Sequence, residues 1–118
     1  MTLVAYGAEG RPIQRVADRL VQTIETGGRR ASAVSAADLP GVISRSRGVQ
    51  TIVGAWWRSL TPVLGGLPKE MTVMACLYDH ETWKAHPEEF LPIARRASVV
   101  FACNGAMLVE LRATLAAA

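Results

Sequence analysis

The chain has 118 residues, half of them hydrophobic and only 19% charged, which fits one folded domain and excludes a disordered polyelectrolyte. Thirteen basic residues against ten acidic ones give a formal charge of +3, too mild a balance for the basic stripe with interleaved aromatics of a nucleic-acid binder. The basic residues fall into short clusters, Arg29 with Arg30, Arg45 with Arg47 and Arg95 with Arg96, which read as a solvated rim.

The first element is an apolar run, residues 2–6, that ends at Gly7 and reads as a strand. Ile13, Val16, Ala17, Leu20, Val21 and Ile24 then recur at helical spacing, with Arg15, Asp18, Arg19, Gln22 and Glu25 on the other face. Pro12 suits the first helical turn, and Gly27 and Gly28 supply the stop. Residues 30–35 form a weaker second strand. Residues 36–48, with Pro40, Gly41 and several serines, read as a loop holding one helical turn at most.

Residues 49–55 are a third strand, running into Trp56, Trp57 and Arg58, and residues 59–67 a short helix closed by Gly65 and Gly66. The fourth strand, 71–78, is nearly continuous in apolar residues, and a polar loop follows over 79–86. A helix opens at Pro87 and extends to Ala97, with Pro92 expected to bend or interrupt it. The fifth strand covers 98–103. Asn104 caps a last helix whose buried stripe is Met107, Leu108, Leu111 and Leu115.

Apolar strands alternating with helices predict a single three-layer, doubly wound, Rossmann-like α/β domain over residues 1–118, with a five-stranded parallel sheet. Its first strand is expected at the centre. Ligands of such sheets bind outside the carboxyl ends of the strands, where the strand order reverses. Cys76 and Cys103 both fall in apolar strand-like runs and are expected as buried, unpaired thiols. With no leader-like segment and no apolar run near the roughly 18 residues of a membrane span, a cytoplasmic location is expected.

Few residues on that edge carry chemistry. The loop Gly7-Ala8-Glu9-Gly10-Arg11-Pro12 joins strand to helix, where backbone N–H groups and the helix dipole favour an anion and Arg11 adds a charged contact. Two glycines there equally serve any tight turn. Asp79 and His80 stand at the end of the fourth strand, placed for general-base work or hydrogen bonding to a ligand. A capping Asp beside an exposed His is the plainer alternative. If the third strand continues through Trp56 and Trp57, one ring faces the core and the other outward, where Trp57 with Arg58 would stack on a sugar or base or anchor a partner. Core packing with incidental exposure is the alternative. No nucleophile elbow, Walker loop, CxxC or HExxH motif is present, so no metal site is expected.

The succession from Thr51 through Trp56-Trp57-Arg58, from Met71 to Asp79-His80, and from Ala94 through Asn104-Gly105-Ala106-Met107 to Glu110-Leu111-Arg112 resembles the amino-terminal, acceptor-side half of GT-B glycosyltransferases. That resemblance spans roughly the last 70 residues and implies strand order 3-2-1-4-5 and a sugar or nucleotide ligand at the carboxyl edge. The ligand contacts expected at that edge are Gly7, Gly10, Arg11, Trp57 and Arg58, to which the resemblance adds Asn104, with Asp79 and His80 as the catalytic pair. The donor-binding Rossmann half of that family has no counterpart here, so the resemblance implies a domain inactive alone, working with a separate donor-binding subunit or as a homo-oligomer. Asn104 stands where the family has a serine. The Tyr6-Gly7 loop, Ala37-Asp38-Leu39-Pro40 and Ile52-Val53-Gly54 resemble flavodoxin-like domains instead, implying order 2-1-3-4-5 and flavin mononucleotide near Trp56 or Trp57. A third reading makes the Trp56-Trp57-Arg58 corner a protein-interaction module without a small ligand.

Overall fold

A computed structural model describes residues 1–7, 11–77, 79 and 81–118, with Arg11 described by its backbone alone. Five strands, β1 (Thr2–Tyr6), β2 (Ala31–Ser35), β3 (Thr51–Gly54), β4 (Thr72–Cys76) and β5 (Val99–Phe101), form one parallel sheet in the order β2-β1-β3-β4-β5. The fold is the expected doubly wound α/β domain. Its strand order is the flavodoxin-like one, so the order 3-2-1-4-5 is overturned, and β3 takes the centre that β1 was expected to hold.

Helix α1 (Arg11–Thr26) follows β1 and covers one face of the sheet. Its apolar stripe places Ala17, fully buried, with Ile13, Val16, Leu20, Val21 and Ile24 against Val4, Val53 and Ala55. It stops as its glycines predict: Gly28 adopts φ +87°, the left-handed conformation that costs a side chain with Cβ roughly 1–2 kcal/mol, and the Arg29 amide returns to the Ile24 carbonyl at 3.3 Å.

The other face carries the larger core. Helix α2 (Leu39–Arg45), a 3-10 helix (Trp57–Gly66), α3 (Thr82–Ala85) and α4 (Pro87–Arg96) enclose Leu3, Ala5, Ile52, Val73 and Ala75, the strand residues that alternate with those facing α1. Leu3, Leu39, Ile52, Leu60, Val73, Leu77 and Phe90 are fully or almost fully buried, each contributing about 1.5–3 kcal/mol relative to exposure.

Several expectations are corrected here. Residues 39–45 form a two-turn helix rather than a loop, because Pro40 occupies its first turn, where a missing N–H costs nothing, and buried Leu39 anchors it. The polar loop at 79–86 contains α3, whose Trp83 is fully buried. Helix α4 runs through Pro92 uninterrupted, with the proline exposed. In α5 (Gly105–Ala117) only Met107 and Leu111 of the expected stripe are buried, while Leu108 and Leu115 are exposed.

Helix α5 does not extend the layer begun by α1. Met107 and Leu111 join the larger core, and Lys84 of α3 pairs with Glu110 at 3.0 Å. On the α1 face of β5, in register with Met74 and Cys76, Val99 and Phe101 therefore remain 38% and 48% exposed.

Candidate functional site

The carboxyl edge is assembled from the segments that leave the strands. Gly7 follows β1, Ala55 and Trp56 follow β3, Leu77 and Asp79 follow β4, and Cys103 and Asn104 follow β5. The strand order reverses between β1 and β3, the topological switch point of this kind of sheet. Ladder bonds persist into the edge: the Ala55 amide donates to Ala5 at 2.8 Å and the Leu77 amide to Phe101 at 2.8 Å.

Asp79 is the organising group. Its Oδ1 accepts the Thr82 hydroxyl at 2.6 Å and the Thr82 and Glu81 amides at 2.9 and 3.2 Å, an Asx-type turn that starts α3. Its Oδ2 accepts Trp56 Nε1 at 3.2 Å, which ties the end of β4 to the end of β3. Partial burial alone raises the carboxyl pKa. The donors from Thr82, Glu81 and Trp56 outweigh it and hold Asp79 below the usual carboxylate range. It is thus an ionised, oriented hydrogen-bond acceptor and a weak base, and Oδ2, with one donor among the described residues, retains accepting capacity.

The two tryptophans depart from the expected alternation. Strand β3 ends at Gly54 and the chain turns into the 3-10 helix at Trp57, so both rings turn inward, at 8% and 0% exposure. Trp57 meets Phe90 edge to face at 5.4 Å, and its Nε1 donates to Thr82 Oγ1 at 3.3 Å. It presents no ring face to a ligand. Arg58, expected beside an exposed ring, lies 5.9 and 5.7 Å from the centroids of Trp56 and Trp57 and grips Glu89 of α4, with Nε at 2.9 Å from Oε1 and Nη2 at 2.8 Å from Oε2. That contact holds Glu89 below its usual pKa and fastens the 3-10 helix to α4.

Asn104 caps α5 as expected, its Oδ1 accepting the Met107 amide at 2.9 Å. The cysteines are corrected: Cys76 is half-buried on β4, and Cys103 lies beyond β5, exposed, with its thiol directed at the Leu77 carbonyl. Gly10, the Arg11 side chain and His80 lie outside the described residues. The structure brings Asp79, at the end of β4, together with Trp56, which follows β3 on one side of the switch point, while Trp57 and Arg58 are committed to packing between elements.

A concavity of about 330 Å³ lies elsewhere, in the groove between α2 and the 3-10 helix, lined by Pro40, Ile43, Pro62, Val63 and Leu67. Among the described residues no group of three His, Cys, Asp or Glu is placed to hold a metal ion, and no helix is long and apolar enough to cross a membrane.

Sequence reasoning missed Thr82, Trp83 and Glu89. The spacing of Asp79 and Thr82 was a readable turn signal. Glu89, 31 residues from Arg58, left none. Comparison with models of protein families gives no match, and comparison with curated proteins gives none.

Proposed function

We propose that the chain is a glycosyltransferase-like acceptor-side domain, inactive alone, that holds a sugar or nucleotide ligand at the carboxyl edge of its sheet. What carries this reading is the Asp79 carboxylate, held below its usual pKa and oriented at the carboxyl end of β4, one strand from the switch point, with Oδ2 able to accept a ligand hydroxyl. A fixed carboxylate with open lone pairs suits a polyhydroxyl ligand. The helix dipole adds Arg11 and the start of α1 as the receiver of an anionic group, and Asp79 or His80 takes or hydrogen-bonds a hydroxyl proton. A donor would come from another chain, either a separate subunit or a second copy.

The flavin reading has the strand order in its favour, and the glycosyltransferase reading has it against, but the flavin reading loses its stacking platform, because Trp56 and Trp57 are both buried. The interaction-module reading loses the same exposed ring. The test is calorimetric titration of the wild type and Arg11→Ala with nucleoside diphosphates and nucleotide sugars. Binding by the wild type, weakened by about 1–3 kcal/mol in the variant, is the expected result. No heat at millimolar ligand overturns the site, and sugar transfer by the isolated chain overturns the claim that it is half of an enzyme.

A further inference from the structure

The three basic clusters that are separate in sequence meet in the fold. Arg29 and Arg30 lie between α1 and β2, Arg47 between α2 and β3, and Lys69 between the 3-10 helix and β4, while Arg45, Arg95 and Arg96 occupy the last turns of α2 and α4. All of these positions are at the amino edge of the parallel sheet, opposite the edge that carries Asp79. Seven of the chain's thirteen basic residues gather there with two of its ten acidic ones, Glu25 and Glu70. That edge carries +5 and the rest of the chain −2.

These charges are not spent on partners. The ion pairs among the described residues are Arg58–Glu89, Lys84–Glu110 and His86–Glu88, none of which uses an amino-edge cation. Arg96 alone is tied down, donating to the Pro68 and Met71 carbonyls at 2.6 and 3.0 Å, and the other six are exposed. The carboxyl ends of α1, α2, α4 and α5 place roughly half a negative charge each at this edge, which offsets only part of the excess. A polar concavity of about 390 Å³ lies between Arg29, Arg30, Gln50 and Thr51.

We propose that this edge docks on an anionic lipid surface. The cations come from four separate connections spread across five strands, about 19 Å of sheet, and so form a broad face. Half-buried Val49 and Leu67 and exposed Pro68 lie among them, apolar groups suited to the headgroup level. Nucleic acid fits worse. The three tryptophans and Phe90 are buried, Tyr6 and Phe101 stand at the opposite ends of their strands, and helices end on this edge rather than lying along it to enter a groove. Each basic residue near an anionic bilayer strengthens binding about fivefold, an effect that salt screens.

Docking of this edge is independent of any ligand near Asp79, since neither sugar nor nucleotide enters the test. The full chain is sedimented with vesicles of phosphatidylcholine alone or mixed equally with phosphatidylglycerol, at low and high salt. Binding to the mixed vesicles only, released by salt, is expected. Arg29→Glu/Arg30→Glu, folded by circular dichroism, weakens it more than tenfold, while Arg15→Glu/Arg19→Glu on the outer face of α1 does not. Absence of binding to the mixed vesicles, equal loss in both double variants, or tighter binding to DNA or RNA of matched charge overturns the proposal.

Discussion

A Cβ on Gly54 would sit 2.8 Å from Leu60 Cγ and 3.1 Å from the Trp56 carbonyl oxygen, so the last residue of β3 is a glycine because the 3-10 helix lies directly on it. Gly54→Ala forces Leu60 or the backbone at Trp56 to move. It is expected to cost about 1–3 kcal/mol, read as a lower denaturation midpoint in urea at unchanged slope.

The buried tryptophans differ in one atom's circumstances. Trp57 Nε1 has Thr82 as acceptor, whereas Trp83 Nε1 has no partner among the described residues. Trp57→Phe is therefore expected to destabilise more than Trp83→Phe, by about 1 kcal/mol, because only the first strands a hydrogen-bonding partner. Equal losses in urea unfolding would show that the Trp83 N–H is satisfied.

Acid sensitivity should trace to Asp79 and Glu89. Both have folded pKa values below their ordinary ones, so their stabilisation is present above the unfolded values near 4 and is lost as pH falls through the lower folded ones. The melting temperature of the wild type is expected to drop between about pH 5 and pH 2, and Asp79→Asn should flatten that drop. The same variant costs about 1–3 kcal/mol at neutral pH, since its amide NH2 must face a donor.

The two thiols are expected to react in order. Burial, and then the neighbouring Cys103, push Cys76 up to about 11, leaving about one thiol in a thousand ionised at pH 8, whereas Cys103 is exposed. Iodoacetamide should modify Cys103 first and Cys76 only after urea is added, as peptide mass mapping would show.

Legibility in the sequence followed how local each cause was. The stripe from Ile13 to Ile24, the Gly28 stop and the Asn104 cap depend on neighbours within a few residues, and all stand as read. The two-turn helix at 39–45 was hidden because Pro40 and Gly41 signal a break unless the proline is seen to fall in the first turn. At the site, Asp79 was found from its place after an apolar strand. Its acceptor role depends on Trp56, 23 residues away, and the inward turn of Trp57 on where β3 stops, neither of which a period of two reveals.

The position of α5 sets where the molecule opens. Strands β1 and β3 lie between α1 on one side and the larger core on the other, but β5 is a three-residue edge strand whose Val99 and Phe101 face water. Local unfolding is governed by how much apolar contact each segment would lose. Amide protons of β5 and α5 should therefore exchange through small openings that leave β2, β1 and β3 intact, while those of Leu3, Val4 and Ile52 wait for global unfolding. Opening is expected to begin at the β5 edge, and the carboxyl-edge loop that carries Asn104 is expected to open with it.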